Sequence, residues 1–148
     1  MKIALITGAS QGIGSAIAQE LNQKKIKVIL VSRSKAKLKK IQANLKFPKN
    51  SMIISKDLRS LSACNSIGAK IKKLNYLINV AGATKGGSFL NLKDNVWDDG
   101  FNLKFKAAVR LSRNFWKTLR RNKGKVINIG GGAARNPSHT FMIGGAVN

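Results

Sequence analysis

Acidic side chains are scarce. Only 5 Asp and Glu stand against 28 Lys and Arg in 148 residues, a formal net charge of +23. Such an imbalance attracts polyanions and makes their binding salt-dependent, but it does not by itself create a nucleic-acid site. The lysines are scattered, in nothing longer than doublets such as Lys24-Lys25, Lys39-Lys40 and Lys72-Lys73. No aromatic residues interleave with them as on a surface that stacks single-stranded bases. A solvated basic surface is therefore expected, without specific nucleic-acid recognition. Cysteine is limited to Cys64, which excludes an internal disulfide. It falls on the apolar stripe of a predicted helix, as expected for a reduced, buried thiol in a cytoplasmic protein. No metal-ligating set is expected. Long apolar runs are missing too, none approaching the roughly 18 residues of a membrane span. A cleavable leader is not expected either, because a strand-like run begins at Ile3 and leads straight into a glycine turn. With two prolines there is no linker, and Lys46–Ser51 around Pro48 reads as a helix-to-strand loop.

Hydrophobic residues make up 43% of the chain, which excludes a disordered polyelectrolyte despite the charge. They gather into five short runs: Ile3–Ile6, Val28–Val31, Met52–Ile54, Leu77–Val80 and Val126–Ile129. Continuous β-branched and Leu character without alternation suits parallel strands buried on both faces. Between the runs lie stripes at helical spacing. Ile13, Ile17 and Leu21 form the first, Leu38, Ile41 and Leu45 the second, and Cys64, Ile67, Ile71 and Leu74 the third. One longer helix is predicted to carry Trp97, Phe101, Phe105, Ala108, Leu111, Phe115 and Leu119. Strands alternating with helices imply an α/β fold of the Rossmann type: a doubly wound parallel sheet of five strands in one domain, 1–148.

The strongest local signal is Thr7-Gly8-Ala9-Ser10-Gln11-Gly12-Ile13-Gly14, between the first strand and the first helix. Glycines at this junction permit a tight turn and let backbone approach a pyrophosphate. The helix N-terminus then offers N–H groups and the positive end of its dipole. A merely tight turn would explain one glycine, not three at this spacing beside Thr7 and Ser10.

Further motifs follow in order: Asp57-Leu58 after the third strand, Asn79-Val80-Ala81-Gly82 ending the fourth, Asn102 in the long helix, and Ile127-Asn128-Ile129 as the fifth strand. Together with the Gly-x-x-x-Gly-x-Gly turn, they resemble the short-chain dehydrogenase/reductase family along the whole chain. The resemblance implies a nicotinamide dinucleotide held by Thr7, Gly8, Ser10, Gln11, Gly12, Ile13 and Gly14. It also implies contacts from Asp57 and Leu58 near the adenine and from Asn79, Ala81 and Gly82 beyond the fourth strand. Val80 stands where the family has a second Asn. At the end of the second strand, where NAD enzymes usually carry an acid for the ribose, this chain has Ser32 followed by Arg33. An acid would repel a 2′-phosphate and a guanidinium binds one, so NADP(H) is the expected cofactor, with NAD as the alternative.

The family's reaction is hydride transfer between nicotinamide and a carbonyl or alcohol compound. A Tyr acts as acid/base, a Lys lowers its pKa from about 10, and a Ser orients the substrate oxygen. Counting those places forward from Ile127-Asn128-Ile129 gives Gly131, Gly144 and Asn148 for Ser, Tyr and Lys. The only tyrosine is Tyr76 and the last lysine is Lys125, so Asn102 alone remains of the family's catalytic tetrad. Ser138 and His139 are weak substitutes in the loop after the fifth strand. Gly130–Ala134 with Arg135 resembles a divergent group of the family that lacks the standard Tyr. The expected protein is thus NADP-binding, acting by inheritance on an unidentified small carbonyl or alcohol and catalytically impaired. A non-catalytic dinucleotide- or partner-binding protein is the alternative, and a basic nucleic-acid-binding module a weaker one.

The family's fold continues past its fifth strand with a helix and two strands, so a C-terminally incomplete domain with an open fifth-strand edge is expected. Two glycines among the last five residues argue against a terminal helix here. A homo-oligomer of a full-length form is left open. The scattered charge yields a first prediction. Heparin and DNA should retain the protein at low salt, with affinity falling steeply as salt rises and scarcely varying with DNA sequence. Filter binding against unrelated sequences measures this, and a strong preference for one sequence would contradict it.

Overall fold

In the computed structural model, which describes residues 1–148, the five apolar runs all become strands. They are β1 (Ile3–Thr7), β2 (Lys27–Ser32), β3 (Ser51–Ser55), β4 (Tyr76–Asn79) and β5 (Lys125–Asn128). All four pairings are parallel and the order is β3-β2-β1-β4-β5. The chain thus winds outward from β1 in one direction, then crosses over to β4 and continues in the other. This reversal opens a crevice at the C-terminal ends of β1 and β4, the place where such sheets bind ligands.

Alternate residues of each strand supply two cores. Leu5, Ile29, Val31 and Leu77 face α3 (Leu61–Lys70) and α5 (Ala107–Arg121), and together they make a cluster of 15 buried residues. Ala4, Ile6, Val28, Leu30 and Ile78 face α1 (Gly12–Gln23) and α2 (Lys35–Ala43) in a second cluster of 9. Ser34 and Ser60 cap α2 and α3 by accepting hydrogen bonds from Lys37 N–H and Ala63 N–H, both at 3.3 Å. By contrast α1 has no side-chain cap at Gln11.

Several expectations need correction. The strand bounds shift by a residue or two, and β2 extends to include Ser32. In α1 the fully buried positions are Gly14, Ala18 and Asn22, while Ile13 is 59% exposed because it lies over the crevice. The third stripe outlasts its helix: Ile71 and Leu74 are buried beyond the end of α3. The single long helix is α4 (Asp94–Gly100), a π segment (Phe101–Lys106) and α5. At its end Ala107 N–H reaches back to the Asn102 carbonyl, one residue further than in an α-helix. That extra residue rotates the apolar face, so Leu103 and Ala107 are buried and Phe105 is 52% exposed.

The unexpected element is α6 (Met142–Val147), where glycines had argued against a helix. Tertiary packing overrides the intrinsic cost. Ile143 is fully buried against Gly100, where an added Cβ would lie 2.5 Å from the Ile143 methyl. Gly144 lies so close to the Phe141 ring that any side chain there would overlap it. Edge strand β5 matches expectation, with Ile127 exposed on the α1 side of the sheet. No helix is long and apolar enough to cross a membrane.

Phe115, fully buried at the centre of the larger core, and Trp116, exposed beside it, test this packing. Phe115→Ala should cost about 3–5 kcal/mol of stability. Trp116→Ala should change it by no more than about 0.5 kcal/mol. Urea unfolding of both variants is the measurement.

Candidate functional site

Three stretches of backbone meet at the crevice: the end of β1, the first turn of α1 and the exit of β4. Thr7 is buried, and its hydroxyl oxygen accepts from both Val80 N–H and Ala81 N–H at 3.0 Å. Gly8 follows with φ +65°, and a Cβ there would lie 3.0 Å from the backbone of Ala81. A Cβ on Gly14 would lie 2.4 Å from the Gly8 carbonyl oxygen. Gly12, at φ +53°, faces open space. Glycine is thus required at 8 and 14 for close approach and favoured at 12 by conformation alone.

Above this junction lies a groove of about 710 Å³, within the usual range of small-molecule sites. Gly8, Ser10, Gln11, Gly12, Ile13 and Gly14 line one wall, Ser32 and Arg33 one end, and Leu58, Ala81 and Gly82 the rest. All eleven were singled out from sequence, and the structure brings them together. The lining also includes Ser34, Lys37, Lys56, Val80, Ala83 and Leu103, which sequence reasoning missed. Lys37 sits in the first turn of α2, where its Nζ donates to Gln11 Oε1 at 3.2 Å, and Lys56 follows β3. The signal for both was a lysine just past a strand end, indistinguishable from the many surface lysines.

Four of the expected site residues lie outside this lining. Thr7 serves the backbone junction. Asp57 turns to Arg59, accepting from its backbone N–H at 3.1 Å and its guanidinium at 3.3 Å. Asn79 faces a neighbouring cavity of about 580 Å³ and donates to Asn128 Oδ1 at 2.8 Å. Asn102 lies in the π segment, its Oδ1 at the edge of hydrogen-bond range of Arg110, 3.5 Å.

Arg59 and Arg110 form a brace behind the groove. Arg59 Nη2 donates to Asp99 Oδ2 at 3.0 Å, and its Nε donates to Asp99 Oδ1. Arg110 donates to the Arg59 carbonyl at 2.9 Å. The bond from Arg59 holds the Asp99 carboxyl below the usual carboxylate range, and the same bond raises the guanidinium. This ties the loop after β3, which carries Leu58, to the helix that carries Leu103.

Two buried polar atoms have no partner within the protein, Ser32 Oγ and Asn79 Oδ1. Both lie at strand ends beside the crevice. Buried polar atoms are nearly always satisfied, so these are places for a ligand or water to bond. With the glycine cradle, they make the residues present fit an elongated, phosphate-bearing dinucleotide.

The residues counted as the family's reaction places are arranged differently. Gly131 and Asn148 line a third cavity of about 380 Å³, with Lys104, Gly82 and Ala83. Gly144 is buried under Phe141. Tyr76 begins β4, at the opposite end of that strand from the crevice. Ser138 and His139 are exposed and line none of the three cavities, and Arg135 is exposed as well.

A family profile described as short chain dehydrogenase matches residues 2–146. The 2,3-dihydro-2,3-dihydroxybenzoate dehydrogenase of Bacillus subtilis is 32% identical over 142 residues, covering 92% of this chain and 54% of that protein. The 3-oxoacyl-acyl-carrier-protein reductase FabG of Rickettsia typhi is 37% identical over 139 residues, covering 92% and 57%. A solved serine dehydrogenase, in a closed form complexed with NADP+, superposes with a TM-score of 0.89 at 27% identity over 98% of this chain and 60% of that one. The chain spans about half the length of the curated relatives it matches.

The backbone junction makes a contrast between two glycines. Gly14→Ala forces the turn to move and should cost about 1–3 kcal/mol. Gly12→Ala meets no atom within 4 Å, and should cost only the backbone strain of about 1–2 kcal/mol. Denaturant melts of the two, together with backbone chemical shifts of residues 8–14, would separate displacement of the turn from strain within it.

Proposed function

Because the chain belongs to the short-chain dehydrogenase family, we propose that it holds NADP(H) in the groove above β1 and serves hydride exchange with a small carbonyl or alcohol compound. The observation that carries this reading is the charge on the groove wall. Arg33, Lys37 and Lys56 line it and no carboxylate does. The first turn of α1 and the glycine backbone receive the pyrophosphate, and Ser10 and Gln11 stand beside it. Arg33, with Ser32 Oγ unpartnered next to it, receives the 2′-phosphate through charge-assisted hydrogen bonds. NAD, lacking that phosphate, leaves three cations without a counter-charge and is the weaker ligand. The bound nicotinamide supplies a hydride donor or acceptor; orientation and proton movement fall to the protein. Ile13, Leu58, Val80, Ala81, Ala83 and Leu103 provide the apolar part of the lining.

A second reading, dinucleotide binding without turnover, is favoured by the glycines at 131 and 144, where the family reaction uses side-chain hydroxyls. Cys64, buried and with its thiol pushed up by desolvation, suits a reducing cytoplasm in either case. A nucleic-acid-binding role is supported by net charge alone.

Titrating the fluorescence of Trp97 and Trp116 with each nucleotide tests the first reading. NADPH should bind at least roughly tenfold more tightly than NADH, the scale of one charge-assisted hydrogen bond. Arg33→Asp should erase or invert that preference while leaving NADH affinity nearly intact. Equal affinities for the two nucleotides in the unmodified protein would remove the reading of Arg33.

A further inference from the structure

Lys104 stands where the exits of β4 and β5 meet the region around Asn148. It lies in the π segment, a departure from α-geometry that recurs at functional sites. Its methylenes pack on Gly82, where a Cβ would lie 2.9 Å from Lys104 Cδ, so the missing side chain at 82 is what admits the lysine. Its Nζ donates to Asn148 Oδ1. The same Asn148 amide lies against Gly131, whose Cβ would be 2.9 Å from both of its polar atoms. Lys104 therefore reaches, through one amide, the position where the family reaction has a serine.

Lys104 also lines both smaller cavities, of about 380 and 580 Å³, and is the only ionisable side chain in either. From the exit of β4 it meets Gly82, Ala83 and Thr84, from the exit of β5 Gly131, Gly132 and Ala133, and from the C-terminal helix region Phe141 and Asn148. None carries a charged side chain. Burial alone pushes its ammonium below the usual lysine range. On the reading proposed above, Arg33 marks the adenosine half of the dinucleotide and the glycine turn its pyrophosphate. The remaining half then runs across β4 to Gly82 and Ala83, which the groove shares with the 380 Å³ cavity. The only other side-chain hydroxyls lining the two cavities are those of Thr84 and Ser112, which do not titrate near neutral pH; Tyr76 is at the far end of β4, and Ser138 and His139 are exposed outside the cavities.

We propose that Lys104 is the acid–base residue of this site, moving the proton between its Nζ and the substrate oxygen. The inference rests on the dinucleotide reading of the groove. In reduction, hydride from the reduced nicotinamide adds to the carbonyl carbon, and the C=O π pair moves onto oxygen. That oxygen takes a proton from the Lys104 ammonium, and the resulting amine regains one from solvent. The sum is carbonyl, reduced nicotinamide and one proton going to alcohol and oxidised nicotinamide. Oxidation reverses each transfer, with the neutral amine accepting the alcohol proton. A half-buried cation without an acidic side chain beside it destabilises the fold. Its folded-state pKa lies below the unfolded value, so the cost is full below the folded pKa and disappears as pH rises past both.

Competitive acetylation of the whole chain, read lysine by lysine by peptide mass spectrometry across pH, tests the site directly. Lys104 should become reactive at lower pH than the surface lysines, and saturating NADP+ should slow its labelling at least roughly tenfold without protecting Lys24 or Lys72. Lys104→Met should melt higher at pH 7 and keep NADPH affinity within twofold by fluorescence. Its NADPH-dependent reduction of a panel of ketones should fall about 10²–10⁴-fold. Lys104→Arg, charged at every accessible pH, should bind NADPH equally well and lose the pH dependence of the residual rate. Ordinary labelling of Lys104, no protection by NADP+, no ketone reduced by the unmodified protein, or undiminished turnover in Lys104→Met would each overturn the proposal while leaving dinucleotide binding standing. Failure of the unmodified protein to bind either nucleotide would instead overturn the groove reading, and this inference with it.

Discussion

At the end of β1 a single threonine hydroxyl accepts from two successive backbone N–H groups of the β4 exit, and Gly8 and Gly14 let the flanking backbones close to van der Waals contact. This junction sets the height of the first α1 turn above the sheet and the direction in which residues 80–83 leave it. The groove is the space left over once those backbones meet. Its floor is main chain, so backbone rather than side chains faces the groove there. Its depth depends on atoms that are missing at 8, 12 and 14 rather than on side chains that are present. A side chain that merely lengthened the turn would fill the place the ligand needs.

A second constraint comes from the shortage of acids. Of five carboxylates, Asp57 and Asp99 are both engaged by Arg59, which also lies under Arg110. The brace draws the wall after β3 toward the π segment of the opposite helix. In a chain of net charge +23, carboxylates concentrated behind the groove leave its front free of negative charge. Electrostatic attraction for an anion is thereby kept on the side facing solvent, while the fold retains one bidentate ion pair where it joins two layers. The same layering leaves Lys104 among uncharged side chains, where partial burial lowers its pKa.

The fold and the glycine wall of the groove were legible because both follow from local pattern. Short unalternating runs of β-branched residues and Leu such as Val28–Val31, bounded by helical stripes, suit strands buried on two faces. The Gly8, Gly12 and Gly14 spacing, placed between strand and helix, has few other physical uses. Ser32 and Arg33 could be assigned to the groove by counting from the end of a strand. Lys37 and Lys56 could not, since nothing local separates a lysine facing a groove from one facing water. The stripe through Phe105 was misplaced because a π turn inserts a residue without any mark in the hydrophobic pattern. The α6 helix was missed because its stability comes from Ile143 reaching Gly100, some forty residues away in sequence and adjacent only after folding.

By itself the sequence determined the alternation of strands and helices, the parallel sheet and the place of the glycine turn, since these depend on periodicity and on the conformational freedom of glycine within a few residues. Only the tertiary structure decided which polar groups meet. Thr7 and Asp57, candidate ligand contacts in the sequence, also prop neighbouring backbone and Arg59. Asn79 found Asn128 on the adjacent strand. Lys104, one of many lysines along the chain, was set apart by the space over Gly82 and by its partial burial. Periodicity fixes which face a residue occupies; burial and partnership depend on which distant segment covers that face, and this is settled only when the layers close.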